Sequence, residues 1–178
     1  MAGIDETLPF TPVSIAVMTV SDTRTEKDDK SGTLLANMLQ EHGHILADQA
    51  IIRDDIAKIQ SKVKDWVSDK SIDVIITTGG TGFTGRDVTP EAVRPLFHKE
   101  IDGFSALFHQ ISFEKVGTST CQSRACGGLI EDTFIFCVPG SPGACKDAWH
   151  GILKFQLDSR HKPCNFVEIM PRLMEHKA

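Results

Sequence analysis

Val74-Ile75-Ile76-Thr77-Thr78-Gly79-Gly80-Thr81-Gly82-Phe83-Thr84-Gly85-Arg86-Asp87-Val88-Thr89-Pro90-Glu91 is the stretch on which the reading of this chain turns. It opens as a short β-branched strand and runs into a loop holding four glycines within seven residues. The loop closes on Thr89-Pro90-Glu91, where Thr can cap a helix, Pro fits its first position and Glu suits the positive end of the helix dipole. Strand, glycine turn and helix in succession form the repeating unit of an α/β domain.

The units on either side repeat that order. Val13 to Val20 is a nearly continuous apolar run, suited to a strand covered on both faces. A helix with Leu34, Leu35, Met38 and Leu39 on one side is predicted from Ser31 to Gly43, the latter a C′ glycine that stops it; His42 and His44 are read as its polar end. Ile45 to Arg53 is a second extended segment. Ile56, Ile59, Val63, Trp66 and Val67 then mark an amphipathic helix. Phe104, Leu107, Phe108 and Ile111 fall at i, i+3, i+4 and i+7, which predicts a buried helix. Thr133 to Val138 reads as another buried strand. Pro139-Gly140-Ser141-Pro142-Gly143 leads from it into a helix carrying Ala148, Trp149, Ile152 and Leu153, with Ser141 as cap. The expected fold class is a three-layer α/β domain, a mainly parallel sheet with helices on both faces. Residues 13–166 form one domain in this reading, with 1–12 an N-terminal extension and 167–178 a C-terminal tail.

Composition narrows the function classes. A chain of 178 residues fits one domain against roughly 100–200 residues per domain. Its 19 Lys and Arg against 24 Asp and Glu give a net charge of −5, a field that repels nucleic acid and anionic membranes. No apolar run approaches the about 20 residues that span a bilayer. The start, Met1-Ala2-Gly3-Ile4-Asp5-Glu6, lacks the basic and apolar regions of a secretory signal, so a cytoplasmic location is expected. Five scattered cysteines without a C-x-x-C pair point to reduced thiols.

The loops carry the chemistry. Backbone N–H groups of a glycine-rich turn and of the helix behind it can hold phosphate oxygens without basic side chains. Two such junctions occur, Gly79 to Pro90 and Pro139 to Gly143; the second is equally well explained as a tight turn. Gly80-Thr81-Gly82-Phe83-Thr84-Gly85 matches G-x-G-x-x-G, but the helix starts too late for a dinucleotide fold, and no G-x-x-x-x-G-K-[ST] exists. Asp54 and Asp87 stand where strands end, the usual ligand side of a doubly wound sheet. Two carboxylates beside polyphosphate repel it unless a cation intervenes, and Mg²⁺ takes carboxylate and phosphate oxygens together. The alternative is that Asp54 or Asp55 caps the second helix and Asp87 braces the loop.

Thr77-Thr78-Gly79-Gly80-Thr81-Gly82 with Arg86-Asp87-Val88-Thr89-Pro90-Glu91-Ala92 resembles the signature of the molybdopterin-binding family of molybdenum-cofactor biosynthesis. Ser21-Asp22-Thr23, Ser31-Gly32, Ser123-Arg124-Ala125 and Pro139-Gly140-Ser141-Pro142 follow in the family's order, so the likeness spans about Val13 to Phe166. It departs at Arg53, where adenylylating members carry Pro, and at Ser141, where related enzymes carry Asn. The resemblance implies a molybdopterin-binding fold, a homotrimer or dimer of trimers, and association with other enzymes of the pathway. The activity it implies is transfer of AMP from ATP to the phosphate of molybdopterin, with Mg²⁺ as cofactor. It places Asp54 and Asp87 at metal and catalysis. Gly79, Gly80, Thr81, Gly82 and Arg86 are placed at the nucleotide, and Ser21, Ser123, Arg124, Pro139, Gly140 and Ser141 at molybdopterin. A non-catalytic molybdopterin carrier keeps the same pocket, and Arg124 equally suits a surface or subunit contact.

Overall fold

The computed structural model describes residues 2–177. The elements in chain order are β1 (Gly3–Ile4), β2 (Ser14–Val20), α1 (Lys30–Glu41), β3 (Ile45–Ile52), α2 (Ile56–Ser68), β4 (Val74–Thr78) and α3 (Thr89–Val93). They continue with β5 (Lys99–Glu100), α4 (Asp102–Val116), β6 (Cys126–Ile130), β7 (Thr133–Val138), α5 (Pro142–Ala148), α6 (Lys154–Gln156), β8 (His161–Lys162) and α7 (Phe166–Ile169). The main sheet has the order β3-β2-β4-β7-β6-β5; β3, β2, β4 and β7 run parallel, β6 pairs antiparallel with β7, and β5 pairs antiparallel with β6. The expected α/β architecture is the one observed. All four parallel strands therefore end at the same edge of the sheet.

Alternation along the strands divides the core into two layers. Ile15, Val17, Phe134, Phe136 and Val138 pack with Leu35 and Leu39 of α1, Phe104 and Phe108 of α4 and Trp149. Ala16, Met18, Ile75, Ile135 and Cys137 pack on the other face with Ile59, Val63 and Trp66 of α2 and Val93 of α3. Period-two alternation places neighbouring residues on opposite faces, and both faces of the sheet's centre are apolar, so β2 and β7 read as nearly unbroken hydrophobic runs, unlike the edge strand β3 with its Asp48 and Gln49. Each fully buried Leu, Ile or Phe contributes roughly 1.5–3 kcal/mol through lost water contact.

Several local details differ from the sequence expectation. The start of α1 is capped by Asp29, whose carboxylate accepts from the Gly32 amide at 2.9 Å and from the Thr19 hydroxyl at 2.6 Å. Strand β6 is absent from the sequence reading because Gly127 and Gly128 dilute its apolar signal; at Gly128 a Cβ would stand 2.4 Å from the Phe97 ring, so the close packing of that ring requires glycine. On α4, Phe104 and Phe108 are buried as predicted, but Leu107 is 49% exposed, so the helix is buried on one face only. The 166/167 boundary falls inside α7, and Phe166 packs 4.8 Å from Phe134 with Val167, Met170 and Leu173 against the same layer.

His42 is the C-cap of α1, the polar helix end expected, but His44 is not part of such an end. His44 is buried beside Phe10 and Trp149, and its Nδ1 accepts from the Val13 N–H at 3.2 Å. Burial pushes its pKa down to about 4, the nearby His42 adds to the depression, and Asp158 opposes it. A folded-state value below the unfolded value of about 6.5 means that the stabilising neutral form is fully present above pH 6.5 and is lost as pH falls toward 4. Between pH 7.5 and 4.5 this residue is predicted to cost on the order of 2 kcal/mol of stability. Replacement by Asn keeps an acceptor for Val13 but removes the titration. Urea midpoints of His44→Asn should thus be flatter with pH than those of the parent chain, and parallel curves would refute this role.

Candidate functional site at the carboxyl edge of the sheet

Four loops leave the parallel strands at one edge, and the two glycine junctions meet there. A Cβ on Gly140 would stand 3.1 Å from the Gly79 Cα, and the Gly79 N–H donates to the Val138 carbonyl at 3.1 Å. Gly79 and Gly80 have φ of +100° and +64°, and a Cβ on Gly79 would lie 2.3 Å from the Val20 carbonyl oxygen. Glycine is required at both positions by backbone conformation and by contact. Thr89 does not cap α3. It is the first helical residue, its hydroxyl donates to the Gly79 carbonyl at 2.9 Å and its N–H to the Gly80 carbonyl at 2.9 Å, which folds the loop back on itself.

The capping question at α2 is answered by Asp55, whose carboxylate accepts from the Lys58 amide at 2.9 Å. Asp54 is not the cap. Its carboxyl is buried, with Oδ1 3.0 Å from where a Cβ on Gly80 would be. Burial first, then the Asp22 carboxylate, then Asp87 raise its pKa above the ordinary value, against the Asp22 backbone N–H and Arg86. Asp87 shows the opposite balance. Burial pushes it up, but the Thr84 hydroxyl and amide, at 2.5 and 2.9 Å, and the Gly82 amide outweigh that and hold it below the usual carboxylate range. Asp87 thus braces the loop and remains charged.

The two arginines near the loop are committed. Arg86 makes a bidentate pair with Asp22, at 2.8 and 3.0 Å, and donates to the Asp54 carbonyl at 2.6 Å, tying together the loops after β2, β3 and β4. Arg124, expected toward molybdopterin, turns instead to the glycine loop. Its guanidinium donates to the carbonyls of Gly82 at 2.8 Å, Asp87 at 2.9 Å and Thr81 at 3.3 Å, and pairs with Glu91. Its own N–H donates to Thr81, which is buried.

Beside the Pro139 to Gly143 junction lies a cavity of about 490 Å³ whose lining includes Ser123, Pro139, Ser141, Lys115 and Asp147. The Ser123 hydroxyl is buried and has no hydrogen-bond partner among the described residues, an uncommon state for a native polar group. Ser141 caps α5 as predicted, accepting from the Ala144 N–H at 3.1 Å. Ser21 is not part of this lining; its hydroxyl accepts from the amides of Thr23 and Arg24, both at 3.2 Å, and closes its own turn. Sequence reasoning missed Asp22, Lys115 and Asp147. Asp22 carries the same signal as Asp54, an acid just past a strand end, whereas the Lys115–Asp147 pair joins α4 to α5 and has no local signature.

Together these features define an α/β domain with a crowded acidic centre, a glycine loop and an adjoining cavity at one sheet edge. A family described as probable molybdopterin binding domain matches residues 16–159. Molybdenum cofactor biosynthesis protein B of Escherichia coli (strain K12) is 46% identical over 157 residues, covering 88% of this chain and 92% of that protein. The crystal structure of a molybdenum cofactor biosynthesis protein B superposes with a TM-score of 0.83 at 40% identity, covering 94% of this chain and 98% of the other. The tungsten cofactor synthesizing protein MoaB from Pyrococcus furiosus gives a TM-score of 0.71 at 35% identity over 78% of this chain and 89% of its own. The chain belongs to the molybdenum cofactor biosynthesis protein B family. Among the described residues no helix is long and apolar enough to cross a membrane.

Proposed function

We propose that this protein acts in molybdenum-cofactor biosynthesis by transferring AMP from ATP to the phosphate of molybdopterin, with release of pyrophosphate. The observation that carries this reading is that the Pro139 to Gly143 junction, which lines the cavity with the unpartnered Ser123 hydroxyl, meets the glycine loop at Gly79, next to the residue Gly80 that lies against Asp54. One side suits a triphosphate and the other a polar heterocycle, so a phosphate borne by the second faces the α-phosphorus of the first.

Mg²⁺, which takes one or two carboxylates and completes its shell with phosphate oxygens and water, is the cation we assign to Asp54 and Asp87, since no larger set of metal-ligating side chains occurs among the described residues. Asp54 is raised by burial and by two neighbouring acids, an excess of negative charge that a divalent cation relieves. Asp54 and Asp87 would hold it, and it would supply charge neutralisation at the phosphates. The chain's own residues do the rest. The Gly80 and Thr81 amides orient the phosphates, since those of Gly79 and Gly82 are bonded to the Val138 carbonyl and the Asp87 carboxylate, and Ser123 and Ser141 hold the pterin. Arg124 and Arg86 are assigned to positioning, Arg124 by fixing the glycine loop and Arg86 by fixing Asp22 and Asp54. The molybdopterin phosphate oxygen forms a bond to the α-phosphorus as the bond to pyrophosphate breaks, and no covalent enzyme intermediate is needed. Catalysis of this kind depends on alignment and charge stabilisation.

One observation favours a second reading, a molybdopterin-binding protein that does not catalyse: the two arginines bonded to the loop, Arg86 and Arg124, are already paired with Asp22 and Glu91 and are not free to take a triphosphate. Incubation with molybdopterin, Mg-ATP and label in the α-phosphate separates the two. Labelled adenylylated molybdopterin is expected, whereas pterin binding without label transfer would select the carrier. The reading carries with it a homotrimer or dimer of trimers, for which exposed Phe113 and Val116, one turn apart on α4, offer an apolar patch. Light scattering should give a multiple of the 19.5 kDa chain, and a monomer at micromolar concentration would exclude it.

A further inference from the structure

Phe83 is 69% exposed, the most exposed large hydrophobic side chain among the described residues. It buries little within its own chain, yet its flanks are pinned. Arg124 Nε holds the Gly82 carbonyl on one side at 2.8 Å, and the Asp87 carboxylate holds the Thr84 amide on the other at 2.9 Å. The Arg124 guanidinium lies 5.1 Å from the ring centroid, and its bonds to Gly82, Asp87 and Glu91 keep it there. A fixed cation thus accompanies an aromatic ring that solvent otherwise reaches, one residue from Gly82, where a Cβ would touch the Asp87 carboxylate at 2.9 Å. Cation–π contact holds such a pair together and leaves aromatic surface for a second planar group.

We infer that Phe83 is the stacking platform for the base of the nucleotide, placing the base over the glycine loop while the phosphates reach toward Asp87 and Asp54. The inference rests on the proposed nucleotide reading of the loop and adds how the base is recognised. Contact through a π-face reads no hydrogen-bonding edge, so Phe83 accepts adenine and guanine alike. This ring contributes to nucleotide affinity but not to the choice between the two purines. Arg124 acts as a positioning residue for the ring as well as for the loop.

Calorimetric titration of the full chain with Mg-ATP, Mg-GTP and Mg-tripolyphosphate, which has no base, tests the assignment. Phe83→Ala should weaken both nucleotides by about 5- to 150-fold, the range that loss of one base–aromatic stack produces, and leave tripolyphosphate unchanged. Phe83→Trp should keep nucleotide affinity at or above the parent value. Unaltered Mg-ATP affinity in Phe83→Ala, or an equal loss for tripolyphosphate, overturns the stacking role while the nucleotide reading survives. Parent protein that binds neither Mg-ATP nor tripolyphosphate overturns both. A change in mass of Phe83→Ala by light scattering, with nucleotide affinity intact, would instead assign the ring to a subunit contact.

Discussion

Asp54→Asn and Asp87→Asn are each expected to lower transfer of label from ATP to molybdopterin by ~10²–10³ while pterin affinity changes little, the scale of losing one electrostatic group at a charged transition state. The geometry distinguishes the two positions. Since Asp55 caps α2, neutralising Asp54 leaves the helix start intact. It also relieves repulsion from Asp22 and Asp87, so the melting temperature should hold or rise as turnover falls. Asp87 is different because Thr84 and Gly82 bond to it. Asn preserves an acceptor oxygen for those donors, whereas Ala removes it. Asp87→Ala is therefore expected to lose both turnover and loop order, and Asp87→Asn mainly turnover. Near-normal turnover of either Asn variant in saturating Mg-ATP, with an unchanged circular dichroism spectrum, would remove that residue from the reaction.

Gly80→Val should cost both stability and nucleotide binding, and Gly82→Val chiefly binding. At Gly80 a Cβ meets Thr89 Oγ1 at 2.3 Å, Asp54 Oδ1 at 3.0 Å and Val20 Cγ1 at 3.2 Å, on a backbone with φ of +64°. Inserting a branched side chain there breaks the Thr89 bond that folds the loop, displaces Asp54 and adds left-handed strain. A loss of about 2–4 kcal/mol in urea unfolding and more than ~10-fold in Mg-ATP affinity is expected. Gly82 has no positive φ, and the atoms nearest a Cβ there are those of the Asp87 carboxylate, at 2.9 to 3.3 Å. Its Val variant should fold and lose Mg-ATP affinity by pushing Asp87 aside. Gly85, where a Cβ meets nothing within 4 Å, supplies the control; Gly85→Ala should stay within about 0.5 kcal/mol of the parent. Equal behaviour of Gly80→Val and Gly85→Ala would refute the loop geometry.

The architecture was legible along the chain because its signals are local. Strands buried on two faces write themselves as apolar runs, as in Ser14–Val20 and Thr133–Val138, and the amphipathic period of Ile56–Ser68 marks a helix covered on one side. Ser141 as cap and Gly43 as stop were readable for the same reason, since caps and turns are set by neighbouring residues. The acids at strand ends and the glycine loop were visible as candidates. What they touch was not. The choice of Asp55 over Asp54 as cap of α2 and the charge of Asp87 turn on the geometry of close neighbours, Lys58 for Asp55 and Thr84 and Gly82 for Asp87, whereas the push of Asp54 toward neutrality and the turn of Arg124 onto the glycine loop depend on residues far along the chain, Asp22 for Asp54 and Gly82 for Arg124. Long-range contacts leave no periodicity, so only the folded arrangement decides them. The meeting of Gly79 with Gly140 is the clearest case: each junction is a separate motif in sequence, and parallel pairing of β4 with β7 makes them one site.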